Sequence, residues 1–312
     1  MINTDLRQQI IALKQQRQAV ILAHNYQRPE IYDVADFIGD SLELSRQAAT
    51  TTAAVIVFCG VHFMAETAAI VCPDKTVLLP DLGAGCSLAE SITVDQLRAW
   101  KAEHPQAVVV MYVNTSAEVK AEADYCCTSS NAVKVVQAIP ANREILFGPD
   151  MFLGAYVQRQ TGRPLHIWPG ECHVHAGFRQ EHLTAIQQRH PRAEIILHPE
   201  CGCISQCLYM MDQQQLTNVK VLSTSGMIKA VTASPADEFI IGTEIGIIER
   251  MKRTVPEKKY IPLKEDAICK YMKKITLENT LQALQHMQHR ITVPDDVRRR
   301  AKLAIDRMIA IG

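Results

Sequence analysis

Residues 19–26 read Ala-Val-Ile-Leu-Ala-His-Asn-Tyr, five apolar residues followed by polar and aromatic ones. A run this short and wholly apolar is typical of a parallel strand that is buried on both faces. Eight further runs of this kind follow, separated by helical patterns such as those over 31–49 and 63–70. We therefore predict nine strands: 19–23, 53–58, 76–79, 107–113, 144–147, 164–168, 193–197, 219–222 and 238–241.

The nine predicted strands fall into three groups of three, whose first strands begin near residues 19, 107 and 193. Short strands that alternate with helices predict an α/β fold with parallel sheets covered by helices. In such sheets, ligands bind beyond the carboxyl ends of the strands, where most of the polar residues of this chain lie. The expected units are 1–104 with an N-terminal helix, 105–190 and 191–268, followed by a C-terminal segment over 269–312 with closing helices.

The composition narrows the classes of function. The chain has 312 residues, with 33 Lys+Arg against 33 Asp+Glu, which argues against a nucleic-acid or membrane-surface binder that works through bulk charge but leaves local basic pockets open. It shows neither a secretory signal nor the ~18 uninterrupted apolar residues of a membrane span, so we expect a cytoplasmic protein. In a reducing compartment, its ten cysteines are expected to be buried residues or metal and redox ligands rather than disulfides.

The residue spacing of two cysteine-containing segments suggests metal-binding sites. The cluster Cys201, Cys203 and Cys207 suggests thiolate ligands for zinc or an iron–sulfur cluster, but no second cluster supplies the remaining ligands, and incidental cysteines are the alternative. The segment Cys172-His-Val-His175 reads either as half of a zinc site or as a polar loop with solvated histidines. If it is extended, Cys172 and Val174 share one face and the two histidines share the other.

Two further segments follow predicted strands. His198 and Glu200 are suited to general acid–base catalysis, with a salt-bridged pair as the alternative. The run 223–226, Ser-Thr-Ser-Gly, suits a phosphate or carboxylate at a helix start, or an ordinary helix N-cap. Lys120 and Lys229 could assist anion binding, although solvated lysines are the simpler interpretation.

Taken together, the motifs resemble those of the quinolinate synthase family over about residues 19 to 287. The matching segments are Leu22-Ala-His-Asn-Tyr26, Gly39-Asp-Ser41, Phe58-Cys-Gly-Val-His-Phe-Met-Ala-Glu66, Tyr112-Val-Asn-Thr115, Pro169-Gly-Glu-Cys172-His-Val-His175, His198-Pro-Glu-Cys201, Ser223-Thr-Ser-Gly-Met227 and Met272-Lys-Lys-Ile-Thr-Leu277.

The resemblance implies three pseudo-equivalent three-layer αβα units around a central active site. It also implies a [4Fe-4S] cluster held by three cysteines, one from each third of the chain: Cys86, Cys172 and Cys269. The resemblance thus overrules the cysteines that spacing alone favours. Three ligands leave one iron open, which is the arrangement that a Lewis-acid catalyst requires.

The implied reaction condenses iminosuccinate with dihydroxyacetone phosphate to quinolinate, for NAD biosynthesis. The implied partners are these small molecules and the L-aspartate oxidase or aspartate dehydrogenase that supplies iminosuccinate, with no nucleic acid and no membrane. Tyr112, His198 and Glu200 are the candidates for proton transfer, and Tyr26 and His175 are expected to line the cavity. The last helix, 294–309, is assigned to packing or to a homodimer contact. The substrate site carried over from the family comprises His24, Ser41, Tyr112, Asn114, Ser129, His198, Glu200 and Thr224.

Overall fold

The structure of the chain, a computed structural model, describes residues 2–214, 216 and 218–311. Within these residues, short strands form three separate parallel sheets of four strands each. The strands are β1 (Ala19–His24), β2 (Phe37–Gly39), β3 (Val55–Cys59), β4 (Thr76–Leu78), β5 (Val108–Tyr112), β6 (Tyr125–Cys127), β7 (Ile145–Gly148), β8 (His166–Ile167), β9 (Glu194–Leu197), β10 (Val219–Val221), β11 (Glu238–Gly242) and β12 (Lys259–Pro262).

The three sheets share one topology. Their strand orders are β2-β1-β3-β4, β6-β5-β7-β8 and β10-β9-β11-β12, so equivalent strands occupy equivalent places in each sheet. The central strands β3 and β5 are buried along their whole length, which requires helices on both faces of the sheet. The predicted α/β fold of three αβα units is therefore confirmed.

Each sheet contains one strand that the sequence pattern did not predict: β2, β6 and β12. All three are edge strands of three or four residues, too short for a clear apolar period. The helix predicted over 31–49 was wrong in its middle, because β2 interrupts it. All nine predicted strands are present.

Helices connect and cover the strands. They are α1 (Ile2–Gln16), α2 (Pro29–Tyr32), α3 (Ser41–Thr50), α4 (His62–Val71), α5 (Val94–Glu103), α6 (Ala117–Ala121), α7 (Ala132–Ala138), α8 (Met151–Thr161), α9 (Gln180–Arg189), α10 (Ile204–Asp212), α11 (Thr224–Ala233), α12 (Gly246–Thr254), α13 (Leu277–His286) and α14 (Asp295–Ile311). None of the described helices is long and apolar enough to cross a membrane.

The C-terminal helices return to the first two units. Helix α13 packs against α1 and β3 of the first unit, and α14 packs against α4 of the first unit and against α6 and β6 of the second. The buried face of α14 is formed by Val297, Ala301, Ala304, Ile305 and Met308. This end of the chain therefore joins two of the three units, which is the packing role foreseen for the last helix.

Candidate active site

In each sheet, a polar or aromatic side chain lies at the carboxyl end of one inner strand or directly after it, and a second such residue follows two positions later. Strands β1 and β5 end in His24 and Tyr112, and His198 comes directly after β9. Because the carboxyl ends of parallel strands lie on one edge of a sheet, each unit delivers its pair to the same side. The three pairs are His24 and Tyr26, Tyr112 and Asn114, and His198 and Glu200.

A hydroxyl residue follows the equivalent edge strand of each sheet. Ser41 and Thr224 are the first residues of α3 and α11, and Ser129 lies between β6 and the start of α7. Helix starts carry backbone N–H groups that lack partners within the helix, and the helix dipole favours negative charge there. The helix starts at Ser41 and Thr224, together with the Ser129 hydroxyl, thus offer hydrogen bonds suited to anionic groups.

Cys86, Cys172 and Cys269 share one local structure. Each cysteine comes after the fourth strand of its sheet and three residues before a short 3-10 helix, at Ala89–Ser91, His175–Gly177 and Met272–Lys274. In each turn, the cysteine carbonyl accepts the N–H of the fourth residue ahead, at 3.1, 2.8 and 3.1 Å. Backbone N–H groups of these turns also point at the sulfurs of Cys86 and Cys269.

All of the site residues predicted from the sequence line a single cavity. No lysine or arginine of the described residues lines it. Any anionic ligand must therefore be held by histidines, hydroxyls, helix starts or a metal centre. The predicted residues found there are His24, Ser41, Cys86, Tyr112, Asn114, Ser129, Cys172, His198, Glu200, Thr224 and Cys269, and Tyr26 and His175 join them.

Glu200 is the centre of the hydrogen-bond network in the cavity. The Tyr112 hydroxyl donates to Glu200 Oε1. His175 Nδ1 lies 3.0 Å from Glu200 Oε2, although no hydrogen bond of good direction forms at that nitrogen. The rings of His175 and His198 stack with centroids 4.8 Å apart. These four side chains, from two different units, form one buried group of proton donors and acceptors.

The buried surroundings and the neighbouring side chains shift the pKa values of Glu200, His198 and Tyr112 away from their usual values. Burial opposes the charge on Glu200, but His198 and His175 outweigh it and lower the pKa of Glu200 to about 2. Burial lowers the pKa of His198 to about 3, with only partial compensation by Glu200. Burial and the charge of Glu200 raise the pKa of Tyr112 well above its usual value. At neutral pH the group therefore holds an ionised Glu200, a neutral His198 and a protonated Tyr112.

A backbone hydrogen bond fixes which nitrogen of His24 carries the proton, and a neighbouring contact brings His198 close to Ser129. Tyr26 N–H donates to His24 Nδ1 at 3.2 Å, and burial lowers the pKa of His24 to about 4. Neutral His24 therefore carries its proton on Nε2. His198 Nε2 lies 3.1 Å from Ser129 Oγ. The amide oxygen of Asn114 is buried and has no hydrogen-bond partner among the described residues, which marks it as an open contact for a ligand.

The run 223–225 serves mainly as a helix cap. Ser223 Oγ accepts the N–H of Gly226 at 3.2 Å and donates to Asp40 Oδ2, while Ser225 donates to Glu43. Only Thr224 of the three lines the cavity. The N-cap interpretation thus holds for Ser223, and the hydroxyls of this run also tie α11 to α3.

Glu244 is a cavity residue that the sequence reasoning did not select. It is fully buried and lines the cavity. Its Oε1 accepts the N–H of Cys269 at 3.1 Å and pairs with Lys273 Nζ at 3.0 Å, while its Oε2 accepts the N–H of Gly246 at 2.7 Å. Its position just after β11 was a usable signal, because the carboxyl ends of the other central strands also carry site residues.

Of the two cysteine segments suggested by spacing, one lies outside the cavity, and the other lines it in a conformation different from the extended one considered. Cys201, Cys203 and Cys207 are buried in the core of the third unit and do not line the cavity. The segment 172–175 is a turn rather than extended, so Cys172 and His175 lie together and His173 instead bonds Ser87 Oγ at 2.7 Å. Ligand atoms of Cys172, His175 and Glu200 lie within 4.8 Å of one another, close enough for a single metal ion.

The two lysines differ from each other. Lys120 is fully buried, donates to the carbonyl of Thr115 and lies over the Phe63 ring at 5.4 Å, so the interpretation of it as a solvated lysine was wrong. It does not line the cavity. Lys229 is exposed, 3.7 Å from Glu43, as a solvated lysine should be.

Comparison with known proteins decides the family. The family model described as quinolinate synthetase A protein matches residues 8–310. The chain belongs to this family. Its relatives include quinolinate synthases of Thermus thermophilus, 57% identical over 98% of this chain and 97% of the relative, and of Pyrobaculum aerophilum, 54% identical over 97% and 98%. Quinolinate synthase of Mycobacterium tuberculosis is 52% identical over 95% of this chain and 86% of the relative.

The resemblance inferred from the sequence motifs is thereby confirmed. Quinolinate synthase is the name of an enzyme, so the quinolinate synthetase A family places this chain among enzymes. The matched region spans all three sheets and the cavity between them.

Proposed function

We propose that this chain is a quinolinate synthase that condenses iminosuccinate with dihydroxyacetone phosphate to quinolinate, with release of phosphate and water. The observation that carries the proposal is the cavity, in which three cysteines, each following the fourth strand of a different sheet, face a buried acid–base group. Family membership supports the same activity. The product belongs to NAD biosynthesis.

The three cysteines suit a [4Fe-4S] cluster. They lie in equivalent turns, and N–H groups point at two of the sulfurs, as is common around iron–sulfur clusters. Among the described residues, their sulfurs do not come within 4.8 Å of one another as a set, so they are too far apart to bind one ion together. When bound, a cluster with three protein ligands supplies an open iron that polarises a substrate oxygen.

Substrate carboxylates are assigned to His24, Ser41, Asn114 and Ser129. His24 offers the N–H of Nε2, and the two serines offer hydroxyls at equivalent strand ends. The start of α11 at Thr224 is assigned to the phosphate or to a carboxylate. This arrangement compensates negative charge without a lysine or arginine in the cavity wall.

Proton transfer is assigned to Tyr112, Glu200 and His198. Tyr112 holds a proton that it directs at Glu200, which is ionised and therefore able to accept one. Neutral His198 can pass a proton through Nε2. Condensation, isomerisation, imine closure and dehydration all move protons, and these groups lie in the cavity where each of those steps would occur.

The proposal includes a supplier for the unstable imine substrate. Iminosuccinate is expected from an L-aspartate oxidase or an aspartate dehydrogenase in the same compartment, which we take to be the cytoplasm. The reaction needs no nucleic acid and no membrane.

An anaerobic assay tests the proposed function. Protein purified without oxygen should be brown, should contain iron and acid-labile sulfide in about a one-to-one ratio, and should form quinolinate from the two substrates. Colourless, iron-free protein with full synthase activity would refute the cluster. Brown protein with no turnover would refute the reaction.

The grouping of Cys172, His175 and Glu200 gives a zinc enzyme as the second candidate. Zinc prefers such nitrogen, sulfur and oxygen ligands. Stoichiometric zinc, together with activity retained in Cys269→Ala, would favour this candidate over the cluster enzyme, since zinc bound by that group does not require Cys269.

A further inference from the structure

A second group of metal-ligating side chains lies on the opposite edge of the second sheet from the active-site cavity. His104 follows the last residue of α5, Glu144 comes just before β7, and His166 is the first residue of β8. These positions are at the amino ends of the strands, whereas the cavity is at the carboxyl ends. The group is therefore distinct from the active site.

Both histidines converge on one carboxylate oxygen. His104 Nδ1 lies 2.9 Å and His166 Nε2 lies 2.7 Å from Glu144 Oε1, and the two rings have centroids 4.3 Å apart. All three ligand atoms fall within 4.8 Å of one another. A zinc ion with bonds of about 2.0–2.1 Å holds its ligand atoms roughly 3 Å apart, so small side-chain rotations would admit it.

We propose that His104, Glu144 and His166 bind a divalent first-row transition-metal ion, with zinc as the natural occupant. Two imidazoles and one carboxylate form a donor set that suits zinc and nickel rather than calcium or magnesium. The side chains are 23%, 40% and 46% exposed, so an ion can enter and keep water ligands on its open side.

The contrast with another histidine–glutamate pair supports metal binding. His190 also contacts a carboxylate, that of Glu238, at 3.1 Å, but Lys259 Nζ lies 2.6 Å from the same oxygen. The Lys259 ammonium thus already neutralises the Glu238 carboxylate. Among the described residues, no lysine or arginine pairs with Glu144, and only the two imidazoles do.

The metal ion would crosslink three secondary-structure elements of the second unit. It would join the end of α5 to the starts of β7 and β8, without contact with the active-site cavity. Since a ligand that binds only the folded state stabilises it by mass action, the expected effect is on stability rather than on turnover.

Two tryptophans close to the site provide an intrinsic fluorescence signal for metal binding. Trp100 lies one helical turn before His104 on α5, and Trp168 lies two residues after His166, with the two rings 5.4 Å apart. These are the only two tryptophans in the sequence. Since both tryptophans lie close to the site, a paramagnetic ion bound there should quench the tryptophan fluorescence of the protein.

The test uses tag-free, anaerobically purified holoenzyme titrated with Ni²⁺ or Zn²⁺. The wild-type protein should bind one more Ni²⁺ per chain than His104→Gln or His166→Gln, measured by equilibrium dialysis. Its tryptophan fluorescence should fall with Ni²⁺, and its unfolding temperature should rise with Zn²⁺. Each substitution should weaken this binding by about ten-fold or more, since even outer-shell changes cost that much. Ions bound at the active-site cysteines are common to all variants and cancel in the comparison.

His190→Gln is the matched control and should bind and quench as the wild type does. Glu144→Gln keeps the shape of the side chain and should weaken binding like the histidine variants. Synthase activity at the wild-type level shows that each variant is folded. The proposal is overturned if the His104 and His166 variants bind as many ions and quench as strongly as the wild type, or if His190→Gln loses binding equally.

Discussion

At the scale of single residues, Tyr112 and Glu200 form the most informative contact in the cavity. They come from different sheets, at the ends of β5 and just after β9. Burial favours the neutral form of both, yet His175, whose pKa is raised to about 10 by Cys172 and Glu200, and the hydrogen bond from Tyr112 keep Glu200 ionised at neutral pH. The hydroxyl of Tyr112 thus remains a proton donor next to a permanent acceptor, which suits proton transfer better than structural support.

Tyr112→Phe should lower turnover by roughly 10²–10⁴-fold, the usual contribution of a general acid or base. The ring is retained, so the cost to stability should be no more than about 1–3 kcal/mol, from the lost donor to Glu200. Turnover is measured by quinolinate formation and stability by thermal unfolding. Tyr260→Phe is the control, because its hydroxyl also donates inside the protein, to Val255 O at 2.9 Å, but outside the cavity. Unchanged turnover in Tyr112→Phe would remove this residue from the proton-transfer group.

Glu244→Gln should loosen the loop that carries Cys269. The carboxylate accepts the backbone N–H of Cys269 and pairs with Lys273, and an amide can satisfy only part of this set. We expect a loss of about 1–3 kcal/mol in stability and a lower iron content per chain. Iron analysis and thermal unfolding measure the two effects. Glu249→Gln on the neighbouring α12 is the control, since Glu249 is 42% exposed and, within the described part of the chain, forms an ion pair only with Lys252. Equal iron in the two variants would show that Glu244 does not position Cys269.

At the scale of the elements, sequence patterns predicted the buried strands and missed one edge strand in each sheet. Central strands such as β3 and β5 are apolar throughout because both faces are covered. The missed strand β2, Phe-Ile-Gly, has only three residues and lies between two helical patterns. Its pairing with β1 is a tertiary contact, which local periodicity cannot register.

Helix α14 provides an element-scale test, because exposed and buried apolar residues alternate along it. Ile305 is fully buried where α14 meets the first and second units, whereas Leu303 is 59% exposed. Ile305→Ala should cost about 2–5 kcal/mol through lost burial and the cavity left behind. Leu303→Ala should change stability by only about 0.5 kcal/mol. Chemical denaturation of both variants gives the comparison, and equal losses would mean that α14 does not join the units as described.

At the scale of the whole molecule, the threefold pattern assembles the site. The central strands deliver His24, Tyr112 and His198, and the first edge strands lead to Ser41, Ser129 and Thr224. The fourth strands lead to the three cysteine turns. The sequence alone could place each residue at a strand end, but it could not bring ends of different sheets together. Cysteine spacing therefore favoured Cys201, Cys203 and Cys207, which the fold buries in one unit, and only family resemblance selected the cysteines of three units.

Substitution of single cysteines tests this threefold arrangement. Cys86→Ser, Cys172→Ser and Cys269→Ser should each lower iron and sulfide to near background and abolish turnover, because each would remove one of the three proposed cluster ligands. Cys203→Ser should keep both, since Cys203 is buried outside the cavity. Circular dichroism and thermal unfolding identify any variant that is merely misfolded. If Cys86→Ser or Cys269→Ser keeps a full complement of iron and sulfide while Cys203→Ser loses it, the cluster is held by the third unit alone. The equivalent turns in the other two units would then have another role.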